Sequence, residues 1–533
     1  MLTMKEKHYH NAMLVVLGLV AVIILLTFRH YGITWDEELQ SQYGLAIVDY
    51  YLSFFKDDRY AEIYNLYLYG GMFDGLASIF DRYTPFHVYD TRHLLNALFG
   101  LLGLWGTWRL ARLIDGGAAG LMALVLLLLT PMYYGHMFNN PKDIPFAVGV
   151  VWTIYYMGRC LAVLPNPKFK LVVKTGVLFG LMLGIRIGGI MALGFWGAMI
   201  GWIALLPFKR PYFLDKRIAT VWRCGWRVLL PVGVIAYAVM LACWPWAQQS
   251  PVLNPLHAFN EFRHFPQDVE ILLDGTIYMS TALPRYYVPL YFAVQLPEAL
   301  LFLLAVAGLM FWHLMRDLPN PRRQIFLLSV LMCLMPIIYA MAGHPALYDA
   351  VRHFLFAVPL MCAIAGVAGH KATTWATAQF RTHTFRKWVQ AGALAAFIIA
   401  MLPSLGLMIA LHPYEYIYAN AFAGGVPGAY GKYEMDYWGS SFKEAARDIE
   451  DYVDREGGVP AGQIFRIAIC GPWDAAMIYL PPNFQPVEAD EPAEFFLSTT
   501  RWMCQNMRMG KEIVRISRLN VPLAIVKDLR NGP

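Results

Sequence analysis

The sequence is short of charge. Only 15% of its 533 residues are Asp, Glu, Lys or Arg, against roughly 25% in an ordinary soluble protein. With 58% hydrophobic residues, that deficit excludes a soluble globular chain and fits a polytopic α-helical membrane protein. Nucleic acid is excluded as a partner, because the net charge of +6 comes from basic residues scattered over many loops rather than gathered in one patch. No CxxC pair and no Cys/His zinc spacing occurs among the 7 Cys, so nothing signals a structural metal. Low-complexity tracts and internal repeats are lacking too. Where a cleavable leader would show small residues, Arg29-His30-Tyr31 follows the first apolar run, which is therefore expected to be an uncleaved span.

What the chain has in abundance is apolar run length. About eleven runs approach the length of a membrane span: 14–28, 94–108, 118–134, 144–157, 171–185, 190–206, 228–244, 290–312, 325–341, 354–367 and 389–411. Lys and Arg concentrate in one set of alternate loops (Lys5 and Lys7, Arg109 and Arg112, Lys209 and Arg210, Arg322 and Arg323 among them) and are sparse in the other, where Arg263 is one of few. That asymmetry places the N-terminus in the cytoplasm, and an odd number of spans places the C-terminus outside. Three segments of the outer side are long: 29–92, 245–287 and the tail from His412. In the tail, 442–453 has helical apolar spacing, while 464–470, 495–499, 513–516 and 521–526 read as short strands. The expected organisation is a membrane domain over 1–411 and a small extracytoplasmic α/β domain over 412–533. Cys470 and Cys504 lie in that tail. Export would favour a disulfide between them, and two free thiols fit equally well; the other cysteines sit in or beside apolar runs as small packing residues.

Chemistry is expected at the outer ends of the runs. Trp35-Asp36-Glu37-Glu38 follows the first run. Carboxylates at a membrane boundary are costly and mark sites of function. Thr34 before three acids also fits a helix cap, so Asp36 and Glu37 are open to either role, as base or metal ligand or as cap. Asn139-Asn140-Pro141-Lys142-Asp143 precedes the fourth run. There Asp143 is a second acid on the same face, or a cap with Pro145 in the first turn, and Lys142 is placed to meet a phosphate. Arg186, in the tight turn between the fifth and sixth runs, either reaches the interface or contacts phosphate. Tyr348-Asp349-Ala350-Val351-Arg352-His353 follows the ninth run; Arg352 suits bidentate phosphate binding, or a local pair with Asp349. Histidines 87, 93, 136, 257, 264 and 344 fall in outer loops. One or two of them with Asp36 would make a divalent-metal site, although no spacing demands it. The aromatic and acidic stretches 412–420 and 433–439 suit either carbohydrate contact or docking of the tail on the membrane face.

In their order and shared sidedness, Trp35-Asp36-Glu37, Asn140-Pro141-Lys142-Asp143-Ile144-Pro145 and Gly184-Ile185-Arg186-Ile187-Gly188-Gly189 resemble the GT-C superfamily of membrane glycosyltransferases, in particular protein O-mannosyltransferases and bacterial aminoarabinose transferases. The resemblance covers roughly residues 10–411. It implies an inverting transfer of a hexosyl or pentosyl group from a polyprenyl-phosphate sugar to a lipid, glycan or protein acceptor, on the extracytoplasmic face of a bacterial inner membrane. Asp36 matches the first-loop acid that serves as base, with Glu37 beside it, and Asp143 matches the second acid. Lys142, Arg186 and Arg352 become donor-phosphate contacts, and His136, Asn140, Tyr348 and His353 substrate contacts. Where many relatives carry Lys, this chain carries Arg186. The alternative is a transporter or flippase of a lipid-linked intermediate, which would place charges deep inside the spans and show paired repeats.

Overall fold

The computed structural model describes residues 4–205, 214–262, 267–456 and 463–530. Lys209, Arg210, Arg263 and His264 lie outside the described residues. Each apolar run forms helix, but not every run forms a straight span. Among the described residues five helices are long and apolar enough to cross a membrane, or up to seven if each bent pair is one span. The expected count of about eleven is not reached on that measure, for local reasons. Thr130-Pro131 breaks the third run into Gly117–Leu128 and Pro131–Asn139, bent by 67°, because Pro starts a helix well but cannot continue one. The eighth run is also bent, by 66° between Glu298–Leu309 and Phe311–Asp317, here at Met310 and without a proline. Phe169–Leu183 has 15 residues, about 22 Å of helix against a hydrocarbon core of about 30 Å.

The helices pack around Val88–Asp115 and Ala357–Ala378. The latter is buried on all sides from Ala357 to Gly369, as an apolar helix in the middle of a bundle must be. Close packing against Val88–Asp115 depends on small residues: a Cβ on Gly103 would lie 2.1 Å from the Tyr133 hydroxyl. The two ends of Val88–Asp115 differ. At one end His93 pairs with Glu37 at 3.0 Å. At the other Asp115 meets His370 at 2.6 Å and Lys371 at 3.2 Å. The candidate residues from the outer loops gather at the first end.

The segment 29–92 folds into helices Glu37–Leu52 and Met72–Asp81, and Tyr43, Ala46, Ile47 and Tyr50 of the first pack with Tyr60 and Leu66 from the connection between them. Within 245–287 an antiparallel hairpin pairs β1 (Glu270–Leu273) with β2 (Thr276–Met279) about Asp274-Gly275. Asp-Gly is a favoured two-residue hairpin turn. After the last long helix, His383–Leu411, comes a five-stranded sheet made of β3 (Phe465–Cys470), β4 (Phe484–Glu488), β5 (Phe495–Thr499), β6 (Lys511–Arg518) and β7 (Val521–Asp528), in the order β4-β3-β5-β7-β6. The amphipathic helix Phe442–Arg455 buries Phe442, Ala445, Ala446, Ile449 and Val453. Expected helix and strands form at the expected positions. β4, which the sequence pattern did not reveal, carries Pro486 and lies at an edge, where a missing N–H is tolerated.

Candidate active site

The first two acids divide their work within one helical step. Glu37 turns inward: its carboxylate accepts from the Thr34 backbone N–H at 2.8 Å and hydroxyl at 3.1 Å, and pairs with buried His93. This is the acidic half of a capping box. The expectation of Glu37 as a catalytic acid is corrected on this point, because its side chain is used inside the protein and forms no part of the cavity wall. Asp36 makes no capping hydrogen bond and faces the opposite way, into a cavity of about 280 Å³.

Asp143 reaches the same place from the other side. The short helix Pro131–Asn139 is wholly buried and delivers the Asn140-Pro141-Lys142 turn under the cavity. The Asn140 side chain accepts from the Asp143 N–H and donates to its carboxylate, each at 2.9 Å, which caps helix Asp143–Leu161 and fixes the acid. Arg186 ion-pairs with Asp143 Oδ1. Arg352 Nη1 lies 3.1 Å from Asp36 Oδ2 and 3.8 Å from Asp143 Oδ2. One guanidinium nitrogen therefore joins two acids that are far apart in sequence. The Asp143 side chain is 2% exposed and that of Asp36 36%, so Asp36 is the carboxylate an incoming molecule can reach.

The cations are held by rings as well as charges. Tyr69 sits beneath Lys142 Nζ at 3.8 Å and Arg186 at 5.7 Å. It is placed there by a close crossing: Met72 N–H donates to the Gly184 carbonyl at 3.0 Å, and a Cβ on Gly70 would lie 2.2 Å from that oxygen. Burial pushes the Lys142 ammonium down to about 8, against the opposing pull of Asp36 and Asp74. Arg352 lies over Tyr348 at 4.9 Å and Trp438 at 5.4 Å. Burial, then Arg352 and Arg186, hold the His353 imidazole well below its ordinary range, so it is neutral. His136 and Asn140 lie behind the wall rather than in it; His136 Nε2 is 3.2 Å from the Tyr437 hydroxyl.

Several wall residues were not identified as site residues from the sequence. Asp349, expected at most as a local partner of Arg352, lies 3.0 Å from its Nε. Tyr69 lines the cavity, as do Arg501 and Trp502 from the sheet domain; Tyr437 and Trp438 also line it, from the 433–439 stretch expected to meet carbohydrate or to dock the tail. Nothing in the pattern around 501–502 marks it as functional; only the tertiary fold brings it here.

Among the described residues no three His, Cys, Asp or Glu side chains are grouped to hold a metal ion. Between the two carboxylates stands the Arg352 guanidinium, whose Nη1 is 3.1 Å from Asp36 and 3.8 Å from Asp143.

An adjoining cavity of about 220 Å³ is mainly apolar, with Phe146, Met191, Met332, Pro336 and Phe356 in its wall. It shares Tyr69, Arg186, Tyr348 and His353 with the polar cavity. The paired cavities thus suit a molecule with a charged head and an apolar tail.

Residues 89–244 match the family model described as dolichyl-phosphate-mannose-protein mannosyltransferase. The resemblance to GT-C membrane glycosyltransferases is borne out. The matched segment contains Asn140, Lys142, Asp143 and Arg186, while Asp36 and Arg352 lie outside it. Among solved GT-C structures, ArnT from Cupriavidus metallidurans is 14% identical, with 98% of this chain and 99% of that chain covered and a TM-score of 0.49. The Archaeoglobus fulgidus oligosaccharyltransferase is 13% identical, with 92% and 66% covered and a TM-score of 0.49. The arabinofuranosyltransferase AftD from Mycobacteria is 12% identical, with 97% and 41% covered and a TM-score of 0.43. At these scores the functional case rests on the family match and the site geometry. No curated protein matches in sequence.

Proposed function

We propose that this integral membrane protein is an inverting glycosyltransferase that moves a sugar from a polyprenyl-phosphate donor to an acceptor at the extracytoplasmic face. The observation that carries this reading is the convergence of Asp36, Arg186 and Arg352, with Asp143 bonded behind them, at a cavity that shares four wall residues with a more apolar one. The tail of the donor occupies the apolar cavity, and its phosphate meets Arg352 and Arg186 with Lys142 nearby. A sugar phosphate already carries a good leaving group, so no strong general acid is needed. Asp36 takes the proton of the acceptor hydroxyl as that oxygen attacks the anomeric carbon, giving inversion in a single displacement through an oxocarbenium-like transition state. The guanidinium groups stabilise the charge that grows on the departing phosphate. Asp143 holds Arg186 and Arg352 in place.

We place residues 1–411 as the catalytic membrane unit, N-terminus inside, and 412–533 as a domain outside. The disulfide between Cys470 and Cys504 supports that placement, since such bonds persist in oxidising compartments. The transporter alternative is less well supported: the site charges gather at the ends of helices on one side, around an accessible carboxylate, rather than along a path through the spans. Asp36→Asn is expected to abolish transfer, seen by mass spectrometry of cell-envelope glycans and glycoproteins, while binding of undecaprenyl phosphate by the purified variant is retained. Wild-type turnover by that variant would remove Asp36 as the base.

A further inference from the structure

Arg352 is not held by the membrane helices alone. Its Nε is paired with Asp349, and Asp349 in turn receives the Trp438 indole N–H at 3.1 Å and lies 3.0 Å from Arg501 Nη1. Arg501 comes from the sheet domain, just beyond β5. It reaches in from there, with its Nε 2.9 Å from Glu434 and its Nη1 donating to the Tyr437 carbonyl at 3.0 Å. The side chains of Asp349, Arg352, Arg501 and Glu434 are all buried.

Both backbone segments that present this pair are strained. Asp349 and Ala350 each have φ of 57°, and Trp502 and Met503 have φ of 54° and 53°. Consecutive non-glycine residues in the left-handed region persist only where the surroundings enforce them, and they cluster at functional sites. The segment bearing Arg501 is tied down three ways. Cys504 is bonded to Cys470 at the end of β3. The Trp502 indole donates to the Glu270 carbonyl of β1 at 3.1 Å, and its ring meets Trp35 edge to face at 6.0 Å.

We infer that Arg501 is a positioning residue for Arg352, acting through Asp349, so that the sheet domain completes the phosphate site rather than merely covering it. Without Arg501, Asp349 keeps Arg352 as its only cationic partner in this link, besides the Trp438 N–H, and draws Arg352 away from Asp36 and Asp143. This inference rests on the proposed donor-phosphate role of Arg352, and its test separates the two.

The test uses the full-length protein in nanodiscs, with undecaprenyl phosphate as the probe. Arg501→Gln is expected to weaken its binding by about tenfold or more, as truncating one partner of a buried charge pair does. Asp349→Asn should weaken it similarly from the other end of the link, without touching the sheet domain. In a double-mutant cycle, Arg501→Gln and Arg352→Lys should be strongly non-additive, because they act on one interaction. Unchanged affinity in Arg501→Gln, or additive losses in the cycle, would overturn the inference, as would a loss of affinity wholly accounted for by a lowered unfolding temperature. If the wild-type protein does not bind the probe, the donor reading fails by itself. The positioning claim is then read from a cryo-EM structure of Arg501→Gln: Arg352 turned from Asp36 supports it, and Arg352 still bridging Asp36 and Asp143 overturns it.

Discussion

Among the individual residues, adjacent carboxylates have unrelated duties. Asp36 and Glu37 are one position apart, yet one faces the cavity and the other closes a cap on Thr34 and His93. Glu37→Gln keeps an acceptor for the Thr34 N–H but gives up the charge beside His93. It should cost about 1–3 kcal/mol in thermal unfolding while leaving turnover within a few-fold of wild type, in contrast to Asp36→Asn. A turnover collapse in a well-folded Glu37→Gln protein would restore Glu37 to the chemistry. The sequence allowed both roles for both residues, since a capping box and a catalytic acid use the same letters. It did place Asp36, Asp143, Arg186 and Arg352 on one side, because alternation of apolar runs fixes sidedness. It had no means of revealing Arg501, whose partners Asp349 and Glu434 lie in other loops and are brought to it only by the docking of the sheet domain.

At the level of elements, helices were legible wherever apolar residues ran long, and β3, β5, β6 and β7 where β-branched residues clustered. Breaks within runs were less legible: Thr130-Pro131 turns one expected span into a bent pair, and the short helix that results delivers Asn140 and Asp143. Neither the hairpin about Asp274-Gly275 nor the edge strand β4, with Pro486, was expected from the sequence. The loop after β5 is the element whose restraint counts most. Replacing Cys470 and Cys504 together by Ser frees a loop with a sequence separation of 34, a change worth about 3–4 kcal/mol on loop-closure grounds. The unfolding temperature of the isolated full-length protein should fall accordingly, and transfer should fall with it as Arg501 loses its anchor. Transfer at the wild-type rate in the double-serine protein would show that the other tethers suffice.

Considered as a whole, the molecule has a pH response set where its two parts meet. Burial pushes the Glu434 carboxyl up to about 7; Arg501 opposes the shift and Asp349 adds to it. The folded state therefore holds this proton more tightly than the unfolded chain, whose carboxyl titrates near 4.5. The associated stability is complete below that pH and is lost as pH rises through about 7. In the same window buried, neutral His353 contributes with the opposite sign, gaining stability as pH rises, so the Glu434 contribution is read as a difference. Unfolding followed from pH 4.5 to 7 should show Glu434→Gln removing the declining component, so that stability rises more steeply than in the wild type; an unaltered slope in the variant would assign the response elsewhere. The division of the cavity wall between helices near the start of the chain and a loop near its end also bears on biogenesis. A nascent chain that has inserted its helices but not yet folded its tail lacks Arg501 and Trp502, and with them one side of the cavity, so the pocket closes only when synthesis has ended.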